Sequence, residues 1–394
     1  MAGLLPLEEA QTRLIAMSEC MGSETVKLEE ALGCYLAEDL IANRAQPAAD
    51  MSAMDGYAIR FEDREGPWRL IGECKAGSPP CRKLEAGETA RIFTGSLLPA
   101  GADTVVMQEN VATENDIIRL VSDASPAPGR HVRHKASDFD KGDIGLTAGT
   151  RLDARSLGHA VIAGHDDIPI GVRPHVAIIS TGDELVAPGQ STQAHQIPAS
   201  NDVMISAMLA PLPCVSRNIS RIADNMDAVC AAFEKASGSD IIVTIGGASV
   251  GDHDLIAPAL QKLGGEIDFW KIAMKPGKPL MAGRLGSSLI VALPGNPGSA
   301  FVTATLFLLP LIKHMAGAAD YLPSYKTAQT KTDLPPVQNR AQFLRAIIEG
   351  ENIQIFDSQD SAKLSVLARA NALLYRPAHA PACPIGSPVP YIGL

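Results

Sequence analysis

Val176-Ala177-Ile178-Ile179-Ser180, running directly into Thr181-Gly182-Asp183, is the stretch from which the fold is read. It is a short apolar run closed by a Gly-containing polar turn, the pattern of a strand buried on both faces. Ile241-Ile242-Val243-Thr244-Ile245 and Leu289-Ile290-Val291-Ala292-Leu293 repeat it, and Asn201 to Ala210 between them has helical character until Pro211 stops it. Apolar strands alternating with helices predict an α/β domain with a parallel sheet covered on both sides. Upstream, Leu14, Ile15, Met17 and Met21, then Val26, Leu28, Leu32 and Leu36, give helical spacing from Pro6 to Ala42, broken at Gly33. Residues 55 to 125 change rhythm, with short alternating runs (Tyr57 to Ile59, Trp68 to Ile71, Ala90 to Phe93, Thr104 to Met107, Ile117 to Val121) between Gly, Pro, Asp and Asn. A helical pattern returns after Thr150, with Asp153 placed to cap it, so the β region reads as an insertion into a helical one. The Pro-rich tail from Pro323 to Leu394 carries alternating segments such as Ala341 to Ala346 and Asn352 to Ile355, and reads as a small β domain.

The 394 residues exceed one ordinary core, and two to four domains are expected at roughly 100–200 residues each. With 34 Lys+Arg against 44 Asp+Glu the net charge is −10, which excludes a general nucleic-acid or anionic-membrane surface while leaving room for a local basic cluster. Ala300 to Ile312 is the longest apolar stretch; it contains Thr303, Thr305 and Pro310 and reads as a buried helix, too short to span a bilayer. No targeting segment is read at the N-terminus. The seven cysteines are scattered, without a CxxC pair, which argues for reduced thiols in a cytoplasmic protein rather than a disulfide framework or a zinc site.

Ligands of an open parallel sheet sit outside the carboxyl ends of its strands. All three strong strands end there in polar loops: Ser180-Thr181-Gly182-Asp183-Glu184; Gly246-Gly247-Ala248-Ser249-Val250-Gly251-Asp252-His253-Asp254; and Pro294-Gly295-Asn296-Pro297-Gly298-Ser299. Glycines admit a ligand close to the backbone, and N–H groups at a helix start favour an anion. Neither a Walker loop nor GxGxxG is present. Each loop alone reads as an ordinary connection; three together read as a binding crevice. Lys271-Ile272-Ala273-Met274-Lys275-Pro276-Gly277-Lys278-Pro279 adds three lysines in an acidic chain. Singly they are surface charge; as a set they are counter-charge for phosphates. Asp183, Glu184, Asp252 and Asp254 are each ordinary capping residues, and together are able to hold Mg²⁺. His253 reads as structural. In the β region, Asp50-Met51-Ser52-Ala53-Met54-Asp55-Gly56-Tyr57 and Phe93-Thr94-Gly95-Ser96 through Asp103 read by default as hairpin turns.

A wider set of motifs sharpens this reading. Ser52 to Ala58, Thr94-Gly95-Ser96 with Pro99 to Asp103, Ser180 to Leu185, Gly246 to Asp254, Lys271 to Pro279 and Leu293 to Pro297, in this order and spacing, resemble the molybdopterin molybdenumtransferase (MoeA-type) family, related to the C-terminal part of gephyrin. The likeness covers nearly the whole chain. It implies an elongated helical domain from residues 1–45 and 140–172, an inserted β domain at 46–139, an α/β molybdopterin-binding domain at 173–318, and a small C-terminal β-barrel domain at 319–394. It implies a homodimer in which one subunit's insert faces the other's α/β domain, with the molybdopterin adenylyltransferase and apo-molybdoenzymes as further partners. The implied reaction inserts molybdate into the dithiolene of adenylylated molybdopterin, with Mg²⁺ as cofactor, and releases AMP.

Position by position, the resemblance gives catalytic roles to Asp55, Thr94, Asp138, Glu184, Asp224 and Asp254, with Glu184 and Asp254 on the metal. Ligand binding falls to Arg133, Ser180, Thr181, Gly182, Asp183, Gly246, Gly247, Ser249, Gly251, Lys271, Lys275, Lys278, Pro294, Asn296, Pro297 and Ser361. Three departures stand out: Met51 replaces the family's usual Asn, Asn225 a common second acid, and Asp360 the usual Gly of the tail motif beside Ser361. The competing readings are a molybdopterin adenylyltransferase, which the insert and tail weigh against, and a gephyrin-like scaffold without turnover, which the retained acids and lysines weigh against.

Overall fold

The computed structural model describes residues 4–121, 124–246 and 255–394. The chain forms two compact units. One comprises residues up to Glu38, Ala148–Asp153 and Ile168–Leu394; the other comprises Asp39–Thr147 and Ala154–Asp167.

The larger unit is built on a sheet of six strands: β1 (His175–Thr181), β2 (Val215–Ile222), β3 (Ile241–Ile245), β4 (Glu266–Trp270), β5 (Met281–Leu285) and β6 (Ser288–Leu293), in the order β2-β1-β3-β6-β5-β4. The first four strands in that order run parallel. β5 pairs antiparallel with both β6 and β4, so it alone runs against the other five strands and the sheet is mixed rather than purely parallel. The tight Gly286 turn between β5 and β6 leaves no room for a crossover helix, which parallel pairing would need. Successive residues of β1 serve opposite layers. Val176 and Ile178 join the core made with Leu7–Ala16, α1 (Ser200–Leu209) and the long helix Pro297–Met315. Ala177 and Ile179 join the core made with α2 (Met226–Ala236) and α3 (Ile256–Lys262). Two covered faces explain why the strands read as unbroken apolar runs.

Pro297–Met315 has 19 residues, three more at each end than its apolar stretch suggested. It passes a membrane-span test by length and composition, yet 78% of its most apolar window is buried inside the protein. Pro310 has no N–H to donate, and the helix widens into one π turn over Ala304–Leu308 just before it.

The expected helix across Val26 to Leu36 does not form. Ser23–Lys27 is a strand paired with Asp167–Gly171, and Leu28–Glu30 is a single 3-10 turn. The i, i+4 stripe was illusory: Leu28 and Leu36 are buried, but Leu32 is 66% exposed.

The tail closes into a barrel of five strands: β7 (Lys326–Thr330), β8 (Ala341–Glu349), β9 (Asn352–Ile355), β10 (Ala372–Arg376) and β11 (Pro388–Gly393). The ring runs β8-β9-β7-β11-β10 and returns to β8, and Met274–Lys275 adds to β8 from outside. Closure leaves no free edge.

The smaller unit carries the other six-stranded sheet, ordered Thr104–Met107, Gly56–Ile59, Glu88–Ile92, Trp68–Cys74, Ile117–Leu120 and Val111–Glu114. Helix Ala154–Ala163 belongs to this unit.

Phe307 is 1% exposed within the main α/β core. Phe307→Ala is expected to lower the stability of that unit by about 3–5 kcal/mol. Chemical unfolding followed through Trp270 in a Trp68→Phe background measures it; a shift below about 1 kcal/mol would show that the helix is dispensable to the core.

Candidate active site

The strand ends of the α/β sheet meet at one level. Ser180 pairs with Ile245, and Ile245 with Leu293, so the loops they lead into leave the sheet together. Between them lies a cavity of about 820 Å³. Its walls include Ser180, Thr181, Gly182 and Gly246, then Pro294, Asn296, Pro297 and Ser299. Gly246 has φ +88°, and a Cβ there would sit 3.0 Å from the Thr181 carbonyl oxygen, so only glycine keeps this wall open.

Three charged residues line the cavity among the described residues, and all are acids: Glu184, Asp202 and Asp224. Asp183 does not line it. Its Oδ1 accepts a hydrogen bond from the Asp224 N–H at 3.1 Å, while the Asp183 N–H donates to Asp224 Oδ2 at 3.4 Å. This reciprocal pair clips the loop after β1 to the loop after β2 and sets the Asp224 carboxylate at the rim. Ser180 Oγ accepts from the Arg221 N–H at 3.3 Å, fastening the same two loops from below.

The helix start at Asn296 behaves differently from the expectation. Pro297 has no N–H; Gly298 donates to the Ser361 carbonyl at 2.8 Å; Ser299 and Ala300 donate to the Asn296 carbonyl at 3.0 and 2.9 Å. The first turn therefore offers an anion its dipole and not free donors. Ser361 is brought into the site by this contact. Asn296 Nδ2 lies 3.3 Å from Ser361 Oγ, and a Cβ on Gly298 would collide with the Ser361 carbonyl oxygen at 2.9 Å.

The lysines are not in the wall. Of the segment Lys271 to Pro279, Pro279 alone lines the cavity. Lys271 lies with Nζ 5.6 Å from the Trp270 ring centroid, and Lys275 and Lys278 are exposed. The segment nonetheless leaves the sheet at the cavity's edge. Trp270 pairs with Met281 and Met281 with Ala292, beside the carboxyl end of β6. Gly247, Ser249, Gly251, Asp252, His253 and Asp254 lie outside the described residues.

In the smaller unit, Asp55 Oδ1 accepts from the Thr94 N–H at 2.8 Å and from Thr94 Oγ1 at 2.9 Å. The backbone bond first, then the hydroxyl and the charge of Arg91, hold this carboxyl below its ordinary range. Gly56 makes the turn possible: a Cβ would lie 2.0 Å from the Val106 carbonyl oxygen. Arg133 pairs with Met51 and extends the Asp50–Gly56 loop, and the Asp138 N–H donates to the Gln46 carbonyl at 3.0 Å. Both side chains are exposed.

Family models match along the chain: the MoeA N-terminal region (domain I and II) over residues 5–164, a probable molybdopterin binding domain over 177–314, and the MoeA C-terminal region (domain IV) over 327–394. A protein of Haemophilus influenzae named molybdopterin molybdenumtransferase is 33% identical over 385 residues, covering 94% of each chain. One of that name from a Nostoc species is 34% identical over 372 residues, 90% of this chain and 85% of the relative. The crystal structure of a molybdopterin biosynthesis MoeA protein from Pyrococcus horikoshii superimposes with a TM-score of 0.83 at 30% identity, covering 99% of both chains.

The chain belongs to the MoeA family. The cavity falls in the stretch matched by the molybdopterin-binding model, with Ala362 and Leu364 lining it from the MoeA C-terminal region next to Ser361.

Sequence reasoning passed over two groups of this MoeA-family chain. Asn201 and Asp202, noted only as a helix start, line the cavity; Asn201 Nδ2 donates to the Gly295 carbonyl at 2.6 Å and fixes the loop after β6. The signal was Ser200-Asn201-Asp202, three polar residues opening an otherwise apolar helix. Arg91 was also missed. It donates to the Gly56 carbonyl at 3.1 Å and stacks on Tyr57 and Phe93, with its guanidinium 5.1 and 5.0 Å from their centroids. Alternation in Ala90-Arg91-Ile92-Phe93 places Arg91 and Phe93 on one face.

Asp55 is expected to titrate below the ordinary carboxylate range, and Thr94→Val, which keeps the N–H but loses the hydroxyl, to raise it part of the way back. Side-chain carboxyl shifts of ¹³C-labelled aspartate read this directly. Because the folded value is depressed, the associated stability is present above the ordinary carboxylate range and is lost as pH falls through the lowered value. An Asp55 resonance that titrates identically in both proteins would refute the contact.

Proposed function

We propose that this chain inserts molybdate into the dithiolene of adenylylated molybdopterin, cleaving the phosphoanhydride and releasing AMP and molybdenum cofactor. The observation that carries the reading is the 820 Å³ strand-end cavity, large enough for a pterin nucleotide and walled by backbone at Gly246.

The charge of the cavity supports a divalent cation. A pyrophosphate is anionic, and the described charged residues of the wall are acids, so the ligand needs a partner of positive charge. Among the described residues no three acids, histidines or cysteines converge. The wall carboxylates Glu184 and Asp224 suit Mg²⁺, which takes one or two carboxylates and completes its shell with water and phosphate oxygens. Glu184 and Asp224 would hold it, with Asp254 as the further acid. Bound there, the ion neutralises charge on the phosphoanhydride and its leaving group.

The residues of the chain then divide the work. Thr181 and Ser299 present hydroxyls to the ligand, and Gly246 admits it against bare backbone. Ser361 keeps the helix start in place. Lys271, Lys275 and Lys278 stand on the segment leaving the same sheet edge, and their approach to bound phosphates supplies further positive charge. We further propose the four-domain division and a homodimer in which one subunit's Asp55, Thr94, Arg133 and Asp138 act with the other subunit's cavity. Asp55, kept ionised by Thr94, is suited to hold a donor group of the ligand, and Arg133 to attract molybdate.

Incubation of the purified protein with adenylylated molybdopterin, Mg²⁺ and molybdate should release AMP and form active cofactor. Binding without AMP release would instead favour a scaffold, and consumption of ATP by free molybdopterin an adenylyltransferase. Asp55→Ala is expected to lower turnover at least about 100-fold with unchanged unfolding behaviour; wild-type rates in this variant would remove Asp55 from the mechanism. Chelation of divalent cations should abolish AMP release, and Glu184→Gln should raise the Mg²⁺ concentration required for half-maximal rate. An unchanged Mg²⁺ requirement would place the ion elsewhere.

A further inference from the structure

Two cysteines of the smaller unit lie against one another. Cys74 ends the strand Trp68–Cys74 and is 1% exposed; Cys81 follows the turn Lys75-Ala76-Gly77-Ser78-Pro79-Pro80 and is half-buried. Their sulfurs are 2.9 Å apart, and the Cys81 N–H points at Cys74 Sγ at 3.4 Å. Non-bonded carbon atoms ordinarily rest about 3.5–4.0 Å apart and the larger sulfurs no closer, whereas a disulfide bond measures about 2.05 Å. The two thiols are thus inside ordinary contact and less than an ångström from bonding distance. The backbone already holds them there: Cys74 is fixed by its pairing with Ile92, and Cys81 by its N–H on the partner sulfur.

We propose that Cys74 and Cys81 form a modification site, oxidised reversibly to an intramolecular disulfide by a small-molecule disulfide of the glutathione class. Cys81, the more accessible, loses its proton to solvent and attacks one sulfur of the oxidant, expelling the other as a thiolate. Cys74, deprotonated in turn, attacks Cys81 Sγ in the mixed disulfide and expels the second thiolate. The protein gives up two electrons and two protons, and the oxidant becomes two thiols. Burial, then the neighbouring Cys74 thiol, push Cys81 up to about 12, so little thiolate exists at neutral pH and the exchange is slow. The site is therefore recognised by its end state and not by its speed. It lies one strand from the Asp55–Thr94 pair, because Cys74 is paired with Ile92 and Glu73 with Arg91.

The test equilibrates the full chain with mixtures of oxidised and reduced glutathione, quenches in acid, alkylates free thiols and maps the peptides. Cys74 and Cys81 should lose alkylation together and appear as one linked species two hydrogens lighter. That species should exceed the mixed disulfide by about tenfold or more, as a pre-positioned pair requires, and dithiothreitol should reverse it. Cys81→Ser should abolish the link. Cys20 is exposed and serves as an internal control for oxidant strength. Both cysteines remaining alkylated once Cys20 carries glutathione would overturn the proposal, and so would a persistent mixed disulfide at Cys81.

Discussion

The register of three parallel strands is the constraint on which the site depends. Ser180, Ile245 and Leu293 are paired across β1, β3 and β6, so three polar loops begin at one height above a rigid floor. A slip of one residue in β1 would exchange Val176 and Ile178 with Ala177 and Ile179, driving each set into the wrong core. The hydrophobic layers therefore enforce the register, and the register makes the cavity. The same ladder fixes the lysine segment. With β4 running in the sense of β6 and β5 reversed between them, the connection from β4 to β5 has to emerge at the edge where β6 ends. The lysine segment thus leaves the sheet at the edge of an acidic cavity, with Pro279 and none of its lysines in the wall.

The charge distribution suits a ligand that arrives with its own cation. Glu184, Asp202 and Asp224 would repel a bare pyrophosphate, and the helix at Asn296 has satisfied its first donors internally. Under the proposed reaction, a wall of this sign would favour the metal-complexed form of a phosphate over the free anion. Asp55 extends the theme in the smaller unit, where Thr94 favours its ionised form through both a backbone and a side-chain donor. In the proposed reaction the carboxylates of the wall would be arranged around a cation, and the lysines, which do not line the wall, would add positive charge from outside it.

Much of the α/β unit was legible because its strands are buried on both faces and leave no ambiguity of period. Val176 to Ser180, Ile241 to Ile245 and Leu289 to Leu293 are all strands, and Thr181, Gly246 and Pro294 at their ends line one cavity. The failures share one physical cause: tertiary partners invisible in local sequence. Leu28, Leu32 and Leu36 have helical spacing, but Ser23–Lys27 finds a strand partner at Asp167–Gly171, far along the chain. The antiparallel return of β5 was hidden because a Gly turn looks alike whichever way the sheet continues. Asn201 was passed over because its amide acts on the Gly295 carbonyl, a contact made only after folding. Arg91 was hidden for the same reason: it reads as an ordinary outward strand residue until Tyr57 is seen directly across from it.

The barrel's part in the site follows from one buried cation. Arg345 in β8 is 1% exposed, with Nη2 buried and unpartnered, and burial pushes its pKa below the ordinary guanidinium value. The charge of Asp360 acts in the opposite sense and steadies the ionised form. Around it, Gln359 binds β8 like a short strand, with Oε1 accepting from the Arg345 N–H at 2.9 Å and Nε2 donating to its carbonyl at 3.0 Å. Asp360 Oδ1 then accepts from the Ala362 N–H at 3.0 Å, turning the chain so that the Ser361 carbonyl meets Gly298. The glycine at 360 that the family resemblance leads one to expect would supply the turn without the charge. Here the carboxylate does both: it shapes the turn that seats Ser361 on the helix start and offsets the desolvated Arg345 beneath it. The departure at Asp360 is thus compatible with the tail's contact to the helix start, because the bond to Gly298 is made by the Ser361 backbone while the Asp360 carboxylate accepts from Ala362 and carries charge toward Arg345.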